Sequence, residues 1–137
     1  MNIVEEVKSL NLPFGEYVIV GSGPMAVRNM RNYKDIDVLV TKDLYQRLST
    51  TNGWKIIILP GLLGDREVAK NGECEAGIDL WFGDYKPDTE TLIKNAEIIQ
   101  GIPFLPLEEL IKFKKAMGRP KDLADIKLIE QYLSKNE

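Results

Sequence analysis

The chain has no histidine. That absence removes every mechanism built on an imidazole base, from Ser-His-Asp relays to Cys-His pairs, and every histidine metal ligand. Cysteine is nearly missing as well: Cys74 stands alone, so no disulfide can close within the chain. No run of eighteen apolar residues occurs, so no membrane-spanning helix is expected. The opening Met1-Asn2-Ile3-Val4-Glu5-Glu6 lacks the basic start and apolar core of a secretory leader. A reducing cytoplasm is therefore the expected compartment. Positive charge is in no excess, with 18 Lys and Arg against 21 Asp and Glu for a net charge of -3. A protein that coats nucleic acid along its whole surface is thereby excluded, but a local basic patch is not. The metal ligands left are mostly carboxylates, which favour hard cations such as Mg²⁺ or Mn²⁺.

What is present suits a single domain: 137 residues, 44% of them hydrophobic, with no repeat or low-complexity stretch. Helical spacing of Ile3, Val4, Val7 and Leu10 marks residues 2–10. Residues 17–20 form a short, wholly apolar strand. Residues 24–30 read as a helix, with Ser22 as its cap and Pro24 in its first turn. Residues 35–40 form a second strand. A helix opens at Thr41 and Asp43 and runs through Leu48, and a β-rich segment follows over 54–59. Residues 61–72 read as a loop around a short turn. Residues 73–82 read as a strand, paired in a hairpin with residues near 67–70. A weak helix is expected over 89–96, and an extended edge segment over 98–105, where Gly101 and Pro103 discourage a central strand. Two helices close the chain, 107–117 and 122–133, with Gly118 ending the first and Pro120 opening the second. The order predicts an α+β fold: a mixed sheet with flanking helices and two C-terminal helices.

Two features carry chemistry. Val18-Ile19-Val20 runs into the turn Gly21-Ser22, and twelve residues later comes Asp35-Ile36-Asp37-Val38. Side chains alternate along a strand, so Asp35 and Asp37 share a face, and two such carboxylates repel unless a cation or proton separates them. Gly21 lets a ligand approach the backbone, Ser22 adds a hydroxyl, and the helix start behind them favours an anion. Alone, the glycine turn reads more readily as a plain strand-to-helix turn, and the acid pair reads equally well as a solvated pair. Asp79, in Gly77-Ile78-Asp79-Leu80, is a third acid in an apolar context and joins the pair if its strand lies beside 35–40. Asp65, Glu73, Glu75 and Asp84 sit in polar contexts and read as solvated. Lys114 falls on the apolar stripe of Leu107, Leu110, Ile111 and Met117, and Asp122 on that of Ile126, Ile129 and Leu133. Lys114 thus faces inward, toward a phosphate or toward an ion pair with Asp122 or Asp125.

Together these residues resemble the nucleotidyltransferase superfamily with the DNA polymerase β-like palm. Its signature runs apolar, Gly, Gly or Ser, a gap, then Asp, apolar, Asp or Glu, matching Val20-Gly21-Ser22 and Asp35-Ile36-Asp37-Val38. Arg31 before the acids resembles the variant of small prokaryotic members. Lys114, Arg119-Pro120-Lys121-Asp122 and Asp125 resemble a segment of the type IV toxin (AbiEii-like) families. Asn29 stands where relatives often carry glycine, and asparagine accepts left-handed backbone. The resemblance implies transfer of a nucleoside monophosphate from an NTP, such as ATP, to a hydroxyl acceptor, with Mg²⁺ or Mn²⁺ as cofactor. It assigns Gly21 and Ser22 to the phosphates, Asp35, Asp37 and Asp79 to metal, and Asp79 also to the acceptor's proton. It assigns Lys114 to phosphate or the transition state, with Arg31, Arg119, Lys121 and Asp122 at the nucleotide, Asp122 orienting Lys114 or a base. The implied acceptor is RNA such as tRNA, a small molecule or a protein. A non-catalytic alternative is an antitoxin-like or nucleotide-sensing module with a protein partner.

Overall fold

The computed structural model describes residues 2–61 and 64–136. Six helices are present among them, α1 (Ile3–Ser9), α2 (Gly23–Ala26), α3 (Lys42–Leu48), α4 (Thr89–Lys94), α5 (Leu107–Met117) and α6 (Pro120–Lys135). The strands are β1 (Tyr17–Val20), β2 (Ile36–Val40), β3 (Lys55–Leu59), β4 (Arg66–Asn71), β5 (Cys74–Gly77), β6 (Glu97–Ile99) and β7 (Ile102–Phe104). They form one mixed sheet of order β3-β4-β5-β2-β1-β7-β6. The fold is therefore α+β.

Alternation along the central strands builds two cores. Tyr17 and Ile19 of β1, with Ile36, Val38 and Val40 of β2, pack on one side with α1, α3 and Trp54. Val18, Val20 and Leu39 pack on the other, against Met25, α4, Leu107 and Leu110 of α5, and Ile129 of α6. Because β1 and β2 are covered on both faces, they tolerate few polar residues. Asp37 is the one position of β2 that is not fully buried, and it points to the α5–α6 side.

The α5–α6 corner follows from two residues. Gly118 adopts φ 62° at the end of α5, a left-handed conformation that glycine enters without a Cβ clash, and its N–H donates to Lys114 O at 2.9 Å. Pro120 then occupies the first turn of α6, where its missing N–H leaves nothing unsatisfied.

Several expected boundaries differ. The helix expected over 24–30 shrinks to the four residues of α2, because Asn29 turns to φ 60°. Ser22 sits at its cap position but makes no side-chain cap bond. The loop expected over 61–72 includes residues 62 and 63, outside the described residues, and from Arg66 onward it is β4, paired with both β3 and β5. The edge segment expected over 98–105 is a hairpin, with β6 at the edge and β7 inside, parallel to β1. The strand expected over 73–82 stops at Gly77. Its partner β2 ends at Val40, where the chain turns into α3, and Thr89 Oγ1 donates to Ile78 O at 2.6 Å, drawing the chain toward α4.

Candidate functional site

Gly21 ends β1 and Asp37 lies in register with Val20 on the antiparallel neighbour, so the turn and the acid meet by strand pairing alone. The fit at Gly21 is tight. Its φ is +66°, and a Cβ there would collide with Asp37 Oδ2. Glycine is thus required twice over, by conformation and by space.

A cleft of about 400 Å³ opens over this corner. Gly21, Ser22, Arg31, Asp35, Asp37, Lys114, Arg119, Lys121 and Asp122 all line it, together with Asp125. The sheet supplies the turn and the acids, the segment after α2 supplies Arg31, and α5–α6 supplies the rest. Of the residues singled out from the sequence, Asp79 alone stands apart. It lies beyond β5, exposed, in a second cleft of about 390 Å³ that also reaches Gly21 and Asp37.

The register beside Asp37 corrects the reading of the third acid. β5 runs parallel to β2, and the residue paired with Asp37 is Glu75. Its side chain is only 13% exposed, so it is not the solvated acid its polar neighbours suggest. Lys70 Nζ lies 3.9 Å from it on the far side. Burial pushes the Asp37 carboxyl up to about 6, and the charge of Glu75 adds to the rise. Arg66 opposes it, while Asp35 and a hydrogen bond with Glu75 contribute further. The same burial, with the charges of Asp37 and Glu75, pushes the Cys74 thiol up to about 12.

Across the cleft, Lys114 is buried and donates from Nζ to Asp125 Oδ2 at 2.9 Å, with Asp122 at 3.9 Å. The ion pair joining the two last helices is therefore present, with both candidate partners. Burial alone would raise the Asp122 carboxyl, but hydrogen bonds from the Arg119 side chain and backbone outweigh it and hold the group below the usual carboxylate range.

The acidic side chains around Asp37 offer oxygen donors, which fit a hard divalent cation. Among the described residues, however, no three Asp, Glu or Cys side chains are gathered closely enough to hold one as they stand. Also among the described residues, no helix is long and apolar enough to cross a membrane. No family model, curated protein or solved structure matches the chain.

Proposed function

We propose that the chain is a metal-dependent nucleotidyltransferase, moving a nucleoside monophosphate from an NTP to a hydroxyl acceptor with release of pyrophosphate. One observation carries the reading. A single cleft is lined at once by the Gly21-Ser22 turn, by Asp35 and Asp37, and by a basic wall of Arg31, Arg119 and Lys121. Acids and bases facing each other over a glycine turn suit a polyanion accompanied by divalent cations.

Asp35 and Asp37 would hold Mg²⁺ or Mn²⁺, which when bound supplies charge neutralisation and polarisation of the phosphoryl group. The short α2 adds little dipole, so anion binding falls to the turn and the basic wall. Gly21 lets phosphate oxygens approach the main chain, and the Ser22 hydroxyl donates to one of them. The acceptor oxygen forms its bond to the α-phosphorus, the bond from that phosphorus to the leaving pyrophosphate oxygen breaks, and the acceptor's proton passes to a carboxylate. Asp79 and Glu75 both stand in the second cleft, from which an acceptor would reach Asp37. Such catalysis is positioning and electrostatics rather than covalent chemistry by the protein.

The test is incubation with each α-labelled NTP, Mg²⁺ or Mn²⁺, and either total RNA or the protein alone. Metal-dependent label transfer, lost in folded Asp35→Asn and Asp37→Asn, is expected. Failure of all four NTPs to bind in the presence of metal would overturn the reading. A nucleotide-sensing module is favoured by the ion pairs that already occupy Lys114 and Arg119. Binding without transfer would select it.

A further inference from the structure

The cations around the cleft are not equally available to a ligand. Arg119 holds Asp122 most closely, with Nε at 2.6 Å from Oδ2 and Nη2 at 3.2 Å from Oδ1, while Lys114 stays 3.9 Å from Oδ1. Asp125 is divided. Its Oδ2 accepts from Lys114 Nζ at 2.9 Å and also from Arg31 Nη1 at 2.5 Å. Three cations therefore rest on two carboxylates, and one positive charge in the cluster lacks a counterion of its own.

Burial decides which cation can respond. The Lys114 side chain is 10% exposed, between α5 and α6, whereas that of Arg31 is 40% exposed. Pulling Lys114 from Asp125 would strand a desolvated ammonium and a desolvated carboxylate together. Pulling Arg31 away strands neither, because Asp125 keeps Lys114 and the guanidinium stays wetted.

We infer that Asp125 is a stand-in for a phosphoryl anion: bound phosphate displaces it from Arg31, which swings onto the ligand, while Lys114 keeps the Asp125 carboxylate paired. The inference rests on the nucleotide reading but reverses one role that the resemblance assigned. Arg31 becomes the phosphate-binding cation, and Lys114 a positioning residue that stays on its carboxylate. The exchange favours the ligand, since a guanidinium fork fits phosphate and carboxylate oxygens alike and a polyphosphate brings more charge than one carboxylate. It also makes the cleft less attractive to stray anions, because the cation they would seek is already engaged.

The experiment is calorimetric titration of the full chain with tripolyphosphate, and with ATP plus Mg²⁺. Arg31→Gln is expected to lose roughly tenfold or more in tripolyphosphate affinity with its melting temperature unchanged. Lys114→Met is expected to melt earlier and to bind severalfold more weakly, because Arg31 is then the cation that Asp125 depends on. Asp125→Asn, alone or combined with Lys114→Met, is expected to bind severalfold tighter because the competitor is gone. Should the two buried variants fail to fold, Arg31→Lys carries the test beside Arg31→Gln: it keeps the charge, loses the fork, and should fall between Arg31→Gln and the wild type. Unchanged affinity in Arg31→Gln, or a tenfold loss that persists in folded Lys114→Met/Asp125→Asn, would overturn the inference. If the wild type binds Mg-ATP but Arg31→Gln is indifferent, this inference alone fails. If the wild type binds neither probe, the nucleotide reading fails with it.

Discussion

Replacing Asp37 by Asn tests whether this carboxylate is held against its own stability. Burial, with Glu75 beside it, moves the group from 3.8 to about 6. A raised acid means the folded state binds its proton more tightly than the unfolded state does. The penalty is absent below the unfolded value, grows as pH rises from 3.8 to about 6, and is complete above that. Two units correspond to roughly 3 kcal/mol at pH 8, and the same linkage leaves about 1 kcal/mol at pH 4.5. Asn cannot ionise, and its amide can still donate to Glu75. Asp37→Asn should therefore exceed the wild type by up to about 3 kcal/mol at pH 8, which for a chain of this size is on the order of 10 °C in melting temperature. Urea denaturation and thermal melts at the two pH values read the difference directly. Added Mg²⁺ should close the gap at pH 8, because a cation that binds the folded wild type stabilises it and the Asn variant offers it less. A variant no more stable than the wild type at pH 8, or a gain equal at pH 4.5 and pH 8, would refute the reasoning and give Asp37 a structural role.

Two further outcomes follow from the same corner of the sheet. Gly21→Ala should lose roughly 1–3 kcal/mol through its left-handed backbone and its collision with Asp37, and denaturation should show the variant also losing any stabilisation by Mg²⁺. Cys74, buried and with its thiol pushed up to about 12, should resist a disulfide reagent at pH 8 in the native protein and react at once in urea; fast native labelling would contradict the packing around Asp37.

Local pattern made much of this architecture readable in advance. β1 and α5 fall where apolar runs and helical spacing place them, and Gly118 and Pro120 act as punctuation because their backbone limits are intrinsic. Asn29 likewise takes the positive φ that a glycine-like position asks for. What stayed hidden depends on partners distant in the chain. Nothing between Glu73 and Glu75 reveals that the second of these acids lies opposite Asp37, because register is a property of the pair of strands. The end of β5 is set by where β2 stops, not by its own apolar residues, so Asp79 in an apolar context looked like strand and is not. The inward turn of Lys114 was visible in the helical stripe. Its sharing of Asp125 with Arg31 was not, because Arg31 and Asp125 lie 94 residues apart in the chain.

β2 holds the fourth of seven places in the sheet, with three strands on either side. Its amides can meet solvent only when the sheet itself parts, so Asp37 rides on a backbone that moves on the timescale of global unfolding. Arg31 rides on the irregular segment before β2 and needs only a side-chain rotation, which in an exposed residue takes nanoseconds or less. The cleft therefore joins an acid held in the middle of the sheet to a side chain at its mouth that can turn without moving the backbone. The carboxylates can be prepared in advance, and the response to a ligand is left to the residues at the mouth.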